Sequence, residues 1–265
     1  MGMRIGFNGT FPLLEQIAGM GYDYLEGHAN ALAPLSAGDF ASLRRRVREA
    51  GIDVPSLCGL FPWKGFSLFE RSDEAIRDYL ERTFDRAADL GVSRVVFGSG
   101  GARSFPEGET YAGACDRLAD VLRLSADLAA PCGISLLFEP LRRAETNLGN
   151  SLCEGWWFVR SAARPNLALL ADYYHMATSG EPLDEIVRVG GIRQAHIATK
   201  ADRRVPTGEG DDDFRGFFRN LHRLGTCDAI SIEGGFGDAA DLDRVGPAAL
   251  ALLRRLRDET LPDPE

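Results

Sequence analysis

The segment Ile134-Ser135-Leu136-Leu137-Phe138-Glu139 is a short apolar run that ends on an acid. A run of this length, rich in branched and aromatic residues, reads as a buried strand of a parallel sheet. The same design recurs three times downstream. Leu167-Ala168-Leu169-Leu170-Ala171 is followed by Asp172, Gln194-Ala195 leads into His196, and Ala229-Ile230-Ser231-Ile232 is followed by Glu233. Working back toward the start, comparable runs lie at 3–7, 22–26, 53–57 and 94–97. With 134–139, 167–171, 194–197 and 229–233 they make eight expected strands.

The stretches between the strands have helical period. Ser72-Asp73-Glu74 offers an N-cap residue and first-turn acids, Ile76, Leu80, Phe84 and Ala87 form an inward stripe, and Gly91 closes the helix. Residues 39–50 repeat the pattern with Phe40, Leu43 and Val47, ending at Gly51. Arg44-Arg45-Arg46 within it reads as a solvated face. Eight strands, each followed by a helix, are the count of a (β/α)8 TIM barrel, an α/β fold. A doubly wound sheet would carry a glycine fingerprint after its first strand, and Phe7-Asn8-Gly9-Thr10-Phe11 has none. We expect one domain over residues 1–265, with a short polar tail at 259–265.

The 265 residues carry 30 Lys+Arg against 39 Asp+Glu, a formal charge of −9, which argues against a nucleic-acid backbone or an anionic membrane as partner. No apolar run approaches the roughly 18 residues of a membrane span, and the opening residues do not resemble a secretory signal. The five cysteines, Cys58, Cys115, Cys132, Cys153 and Cys227, are odd in number and form no CxxC pair. The expectation is a cytoplasmic protein with reduced thiols, each a small buried hydrophobe.

In a barrel the C-terminal ends of the strands line the functional face. Strands five to eight each deliver one metal-competent group there: Glu139, Asp172, His196 and Glu233. Acids at strand ends also serve as helix caps, but four in succession after apolar runs point to a ligand set. Three carboxylates and an imidazole suit Mn²⁺ first, with Mg²⁺, Co²⁺ or Zn²⁺ as alternatives. Nearby stand Glu145, His175 and Arg203, which singly read as a loop acid, a half-buried histidine and a surface arginine.

Other residues divide between plain and functional readings. Glu26 and His28 follow the second strand as candidates for supporting or substrate groups. Leu60, Phe61 and Trp63 form an apolar lip suited to the far carbons of a sugar, or to the core. Gly98-Ser99-Gly100-Gly101 with Arg103 reads as a tight turn before it reads as a phosphate cradle. His222 reads as packing, and Asp211-Asp212-Asp213 as the cap of a helix.

The segments FEPLRRAET, LADYYHM and AHIATKADRRVPTGEG resemble the matching stretches of the xylose-isomerase-like TIM-barrel superfamily, in the sugar phosphate isomerase/epimerase branch that holds the ketose 3-epimerases of the D-tagatose and D-psicose type. The resemblance runs from about residue 3 to 256, with its specific motifs between Glu139 and Glu233. It implies one divalent metal ion on Glu139, Asp172, His196 and Glu233, with Glu139 and Glu233 as the acid/base pair. It implies also that Glu145, His175 and Arg203 grip the O1–O2 end of a ketose. The chain departs from the pattern at Thr199, where the epimerases usually carry a glutamate, and the loop to Arg203 is one residue longer.

Such a set performs proton abstraction beside a carbonyl through an enediolate. Return of a proton to the opposite face of the same carbon gives epimerisation, transfer along a single face to the neighbouring carbon gives isomerisation, and loss of a β-hydroxyl gives dehydration. Hydroxypyruvate isomerase and inosose or dehydroshikimate dehydratase are therefore the alternatives, with a non-catalytic sugar-binding barrel further off. The DNA-repair endonuclease branch needs extra histidines after strands three and four, where this chain has Leu57-Cys58 and Phe97-Gly98. The expected partner is a small sugar or sugar-like molecule, with homo-oligomerisation to a dimer or tetramer.

Overall fold

The structure is a computed structural model that describes residues 2–262. Eight parallel strands close into a barrel in sequence order: β1 (Arg4–Asn8), β2 (Tyr24–His28), β3 (Asp53–Cys58), β4 (Arg94–Phe97), β5 (Ser135–Phe138), β6 (Leu167–Asp172), β7 (Ile192–Ile197) and β8 (Ala229–Ile232). The seam is the β1–β8 pairing, from Arg4 opposite Ala229 to Phe7 opposite Ile232. Around it lie α1 (Leu14–Met20), α2 (Ala37–Glu49), α3 (Asp73–Asp89), α4 (Gly100–Arg103) and α5 (Tyr111–Ala129). They are followed by α6 (Leu152–Ala162), α7 (Tyr173–Ser179), α8 (Glu185–Val189), α9 (Phe214–Leu224) and α10 (Ala239–Glu259). No helix among the described residues is long and apolar enough to cross a membrane.

The helices begin where side-chain caps allow. Ser72 accepts from the Ala75 N–H at 3.3 Å to start α3, and Asp213 accepts from the Gly216 N–H at 2.8 Å to start α9. The stripe Ile76, Leu80, Phe84 and Ala87 is fully buried. Of the α2 stripe only Leu43 is buried; Phe40 and Val47 are partly covered, and α2 starts at Ala37 with Ser36 as its cap. At the other end, α10 reaches Glu259 and Thr260 is buried, so the expected tail is helix at its first residue, and its last three residues lie outside the described residues.

Two apolar regions hold the fold. The larger lies between strands and helices and takes the outward residues of the pleat, such as Ile5, Leu57, Val95, Leu136, Leu169 and Ile230. The smaller, inside the barrel, consists of Cys58, Val96, Leu137 and Leu170 with Ala168 against it. The rest of the interior is polar: Tyr24 meets Ser231 Oγ at 2.8 Å, and Glu26, Ser56 and Gln194 are buried there.

Side chains on a strand return to the same face every second residue, so inward Leu137, Leu170, Gln194 and Ser231 predict inward Glu139, Asp172, His196 and Glu233 one pleat further on. One strand departs from expectation in a way that matters. β2 begins at Tyr24 rather than Tyr22, because its pairing with β1 starts at Gly6 opposite Tyr24. A shift of two keeps the parity. It sinks Glu26 into the interior and carries His28 to the rim.

Gly6 makes the interior fit: a β-carbon there would stand 2.3 Å from the Tyr24 ring. Gly6→Ala should therefore lower stability by about 1–3 kcal/mol through overpacking, read as a lower denaturant midpoint with an unchanged slope.

Candidate metal centre and the barrel mouth

Glu139, Asp172, His196 and Glu233 come together at the C-terminal end of the barrel. One ligand atom from each lies within 4.8 Å of every other, a group able to hold a metal ion. His196 Nδ1 is 3.2 Å from Glu139 Oε1, 3.3 Å from Glu233 Oε2 and 4.0 Å from Asp172 Oδ2. Asp172 also caps α7, accepting from the His175 N–H at 3.1 Å, so the strand end that carries the acid is fixed by the helix it starts.

The opposite edge of the His196 ring faces Glu26. Nε2 and Glu26 Oε2 are 2.8 Å apart, close but without the alignment of a formal hydrogen bond, and both side chains are fully buried. Glu26 is held in turn by Ser56 Oγ at 2.7 Å, Gln194 Nε2 at 2.5 Å and Asn8 Nδ2 at 3.3 Å. A carboxylate behind the imidazole sets its orientation and leaves Nδ1 for the acids in front. The sequence singled out Glu26 only as one candidate among several; the two-residue shift of β2 makes it the support of His196.

Burial acts on every charge here. It raises Glu139, with His196 opposing, and raises Asp172 to about 6, with the nearby Glu233 charge adding to the rise. Burial would raise Glu233 as well, but Arg203 and His196 hold it well below the usual carboxylate range. For His196 burial opposes the charge, and Glu26 and Glu233 more than offset it, leaving the imidazole well above its ordinary value. Three carboxylates crowded on one imidazole are a donor set that a divalent cation would satisfy. Beside it, His175 Nε2 has no hydrogen-bond partner among the described residues and lies 3.9 Å from Glu145 Oε2 and 4.0 Å from Asp172 Oδ2. His175 Nδ1 accepts from the Arg142 N–H at 3.3 Å, so Nε2 is the protonated nitrogen that faces the acids.

Glu145, His175 and Arg203 meet beside this group. Arg203 Nη2 donates to Glu233 Oε2 at 2.8 Å, and Nη1 reaches both Glu145 oxygens at 3.3 Å. Arg142 donates to Glu145 Oε1 at 2.9 Å, and the Arg142 and Arg203 guanidiniums lie 4.8 and 5.0 Å from the Tyr174 ring centre. Tyr174 and Arg142 were not singled out in the sequence, although both sit inside the motifs quoted above. Arg203 has a left-handed backbone, φ 52°, held by its N–H to Thr199 O at 3.0 Å and its carbonyl to Gly235 N–H at 2.8 Å. Thr199 thus ties the base of the loop that presents Arg203.

A cavity of about 440 Å³ opens above the group, lined on one side by Glu139, Glu145, Arg203 and Glu233 and on the other by Asn8, His28 and Asn30. Asp172 and His196 lie beneath it. Phe61 and Trp63 line it, whereas Leu60 is wholly core. Cys58 lines it too, its thiol 3.4 Å from Glu233 Oε1, and so exceeds the plain hydrophobe expected; Cys153 is exposed. His222 Nε2–H donates to the Arg257 carbonyl, 3.0 Å away, a packing role.

The glycine-rich turn after β4 packs its arginine into the fold. Arg103 is fully buried and donates to the carbonyls of Phe97, Glu139 and Gly149 at 3.3, 2.9 and 3.2 Å. Its ring neighbour is Phe138 at 4.6 Å, and burial draws its pKa down to about 9. The glycines give clearance: a β-carbon on Gly98 would stand 2.2 Å from Glu139 Oε2, and one on Gly101 2.0 Å from the Trp63 carbonyl. Arg103→Met removes the donors of three buried carbonyls and should cost about 3 kcal/mol, measured by chemical denaturation.

A family model for the xylose isomerase-like TIM barrel matches residues 14–256. D-psicose 3-epimerase of Agrobacterium fabrum is 29% identical over 206 residues, covering 74% of this chain and 69% of that protein. The 3-dehydro-D-guloside 4-epimerase of Escherichia coli is 24% identical over 233 residues, covering 83% and 87%. The solved structure of D-psicose 3-epimerase with D-tagatose from Clostridium cellulolyticum superposes with a TM-score of 0.84 at 20% identity, over 96% of this chain and 99% of that one.

Proposed function

The chain belongs to the xylose isomerase-like TIM-barrel family, and on that premise we propose that it is a divalent-metal-dependent sugar epimerase that removes a proton beside a ketose carbonyl. The supporting observation is the convergence of Glu139 and Glu233 from strands β5 and β8 on one buried group with Asp172 and His196. Relatives named as ketose 3-epimerases and a 4-epimerase favour the same chemistry.

In this reading Glu139, Asp172, His196 and Glu233 hold the ion, with Mn²⁺ first. When bound, a divalent ion polarises a carbonyl and stabilises the charge of the enediolate. Glu139 and Glu233, which also line the cavity, are the acid/base pair. One takes the proton from the carbon beside the carbonyl and the other returns a proton to the opposite face, inverting the centre. Arg203, Glu145 and the His175 Nε2–H grip the carbonyl end: the guanidinium and imidazole donate, and Glu145 accepts from a hydroxyl.

The test is a panel of ketoses and inososes with Mn²⁺, followed by NMR for exchange of the C3 or C1 proton with D₂O. Exchange at C3 with inversion is expected; exchange at C1 alone would select isomerisation, and loss of water dehydration. Glu139→Gln and Glu233→Gln keep the side-chain size but cannot accept a proton, so each should reduce exchange to below about a tenth of wild type while the circular dichroism spectrum is retained. Glu26→Gln removes the charge behind His196 and should weaken Mn²⁺ binding by about 10–100-fold in calorimetric titration.

A further inference from the structure

If the carbonyl end of a ketose lies over β5–β8, as proposed above, its far end faces the rim of β1–β3. Asn8 and His28 stand on that rim and line the cavity. Their hydrogen-bond roles follow from the residue beneath them. Glu26 accepts at both oxygens, from Ser56 and Gln194 on Oε1 and from Asn8 on Oε2, with His196 Nε2 a further 2.8 Å contact on Oε2. Asn8 must therefore turn its amide NH₂ toward Glu26, 3.3 Å away, which leaves Oδ1 toward His28 Nε2 at 3.2 Å. An amide oxygen only accepts, so His28 carries its proton on Nε2, and in the neutral ring Nδ1 is an acceptor. Two functions then remain without a partner among the described residues: the second N–H of Asn8 and the lone pair of His28 Nδ1. A donor and an acceptor on adjacent side chains complement a hydroxyl, which can both accept and donate, and an acceptor nitrogen repels an anion.

The charges around the cavity agree. Its walls carry Glu139, Glu145 and Glu233 against one fixed cation, Arg203, which is already bound to Glu233 and Glu145. Two arginines stand just outside it and are also engaged: Arg103 is buried on three carbonyls, and Arg142 donates to Glu145 at 2.9 Å. Among the described residues that line the cavity, a phosphate would meet no lysine or arginine that is not already paired.

We propose that Asn8 and His28 form a specificity subsite that reads the terminal hydroxyl of a non-phosphorylated ketose. The subsite rests on the epimerase reading for the direction in which the sugar lies. Glu26, which Asn8 bonds, also faces His196 Nε2 at 2.8 Å, so the subsite and the support of the metal group meet at one carboxylate.

The test is calorimetric titration of the Mn²⁺-loaded protein with D-fructose, D-psicose, D-tagatose and D-sorbose, each with its 6-deoxy and 6-phosphate derivative. For the tightest-binding ketose the 6-deoxy and 6-phosphate forms should each bind roughly tenfold or more weakly. His28→Leu should erase the preference for the hydroxyl form while leaving 6-deoxy binding within about twofold and the Mn²⁺ content unchanged. His28→Gln can donate one amide hydrogen to Asn8 and offer an oxygen to the sugar, and should restore the preference. Equal loss of both forms in His28→Leu, equal binding of both forms by the wild type, or tighter binding of the phosphate overturns the subsite. Discrimination without proton exchange from any ketose would overturn the epimerase reading and leave the subsite standing. No binding of any of the sugars would overturn both.

Discussion

The contact between Glu26 and His196, 2.8 Å at the centre of the barrel with both side chains sealed from water, is what the functional end of the molecule is built on. An ion pair at that depth carries a large desolvation cost, and replacement by apolar residues is often neutral for stability. Its value here is orientation. With Nε2 committed to Glu26, Nδ1 has one direction left, toward Glu139, Asp172 and Glu233. Ser56, Gln194 and Asn8 complete the hydrogen bonds of Glu26. For that reason the barrel interior, usually filled with branched apolar side chains, is apolar only around Cys58, Val96, Leu137 and Leu170.

The two ends of the barrel divide the work accordingly. At the strand starts, Arg94 makes a two-pronged bond to Asp228, at 2.6 and 2.8 Å, and Arg4 reaches Asp53 at 3.1 Å. The aspartate of each pair is mostly exposed, so the pairs contribute modestly. At the strand ends the carboxylates outnumber the cations, an arrangement that self-repulsion makes unfavourable unless a cation joins it. Excess negative charge at the mouth and matched charge at the base separate the part that serves chemistry from the part that serves stability.

Much of this is legible in the chain because strands β5 to β8 advertise themselves as apolar runs that stop on an acid or histidine, and pleat parity then places those four groups on one face. The caps at Ser72 and Asp213 are similarly local. What was not legible depends on register. Glu26 ends its expected strand at the rim, and only the pairing of Gly6 with Tyr24 sinks it below His196 and brings His28 up. Arg103 follows glycines that read as a tight turn before a phosphate cradle, and only the approach of Phe97, Glu139 and Gly149, brought from two separate segments, shows that it braces the backbone. Tyr174 carries no charge to mark it, yet two guanidiniums lie against its ring. Local periodicity fixes which face a residue is on; it carries no information about what the next strand puts opposite.

Backbone strain among the described residues adds a last constraint. Three non-glycine residues take left-handed conformations: Ser99 at φ 43°, Ala163 at φ 52° and Arg203 at φ 52°. Ala163 ends α6 and closes a helix in the ordinary way. The other two flank the cavity, and each left-handed residue costs of order 1–3 kcal/mol unless its surroundings impose it. Ser99 is imposed by its hydroxyl, which accepts the Phe61 N–H at 2.9 Å and so ties the turn after β4 to the loop after β3. Arg203 is imposed by Thr199 on one side and Gly235 on the other, and the close approach of Gly234 to the Arg204 carbonyl carbon, 2.4 Å from where a β-carbon would be, leaves no room for the loop to relax. The guanidinium that pairs with Glu145 and Glu233 is therefore delivered by a backbone with little freedom. A flexible loop would let Arg203 collapse fully onto either acid; a strained and clamped one holds it between them, where it can bind both and still face the cavity.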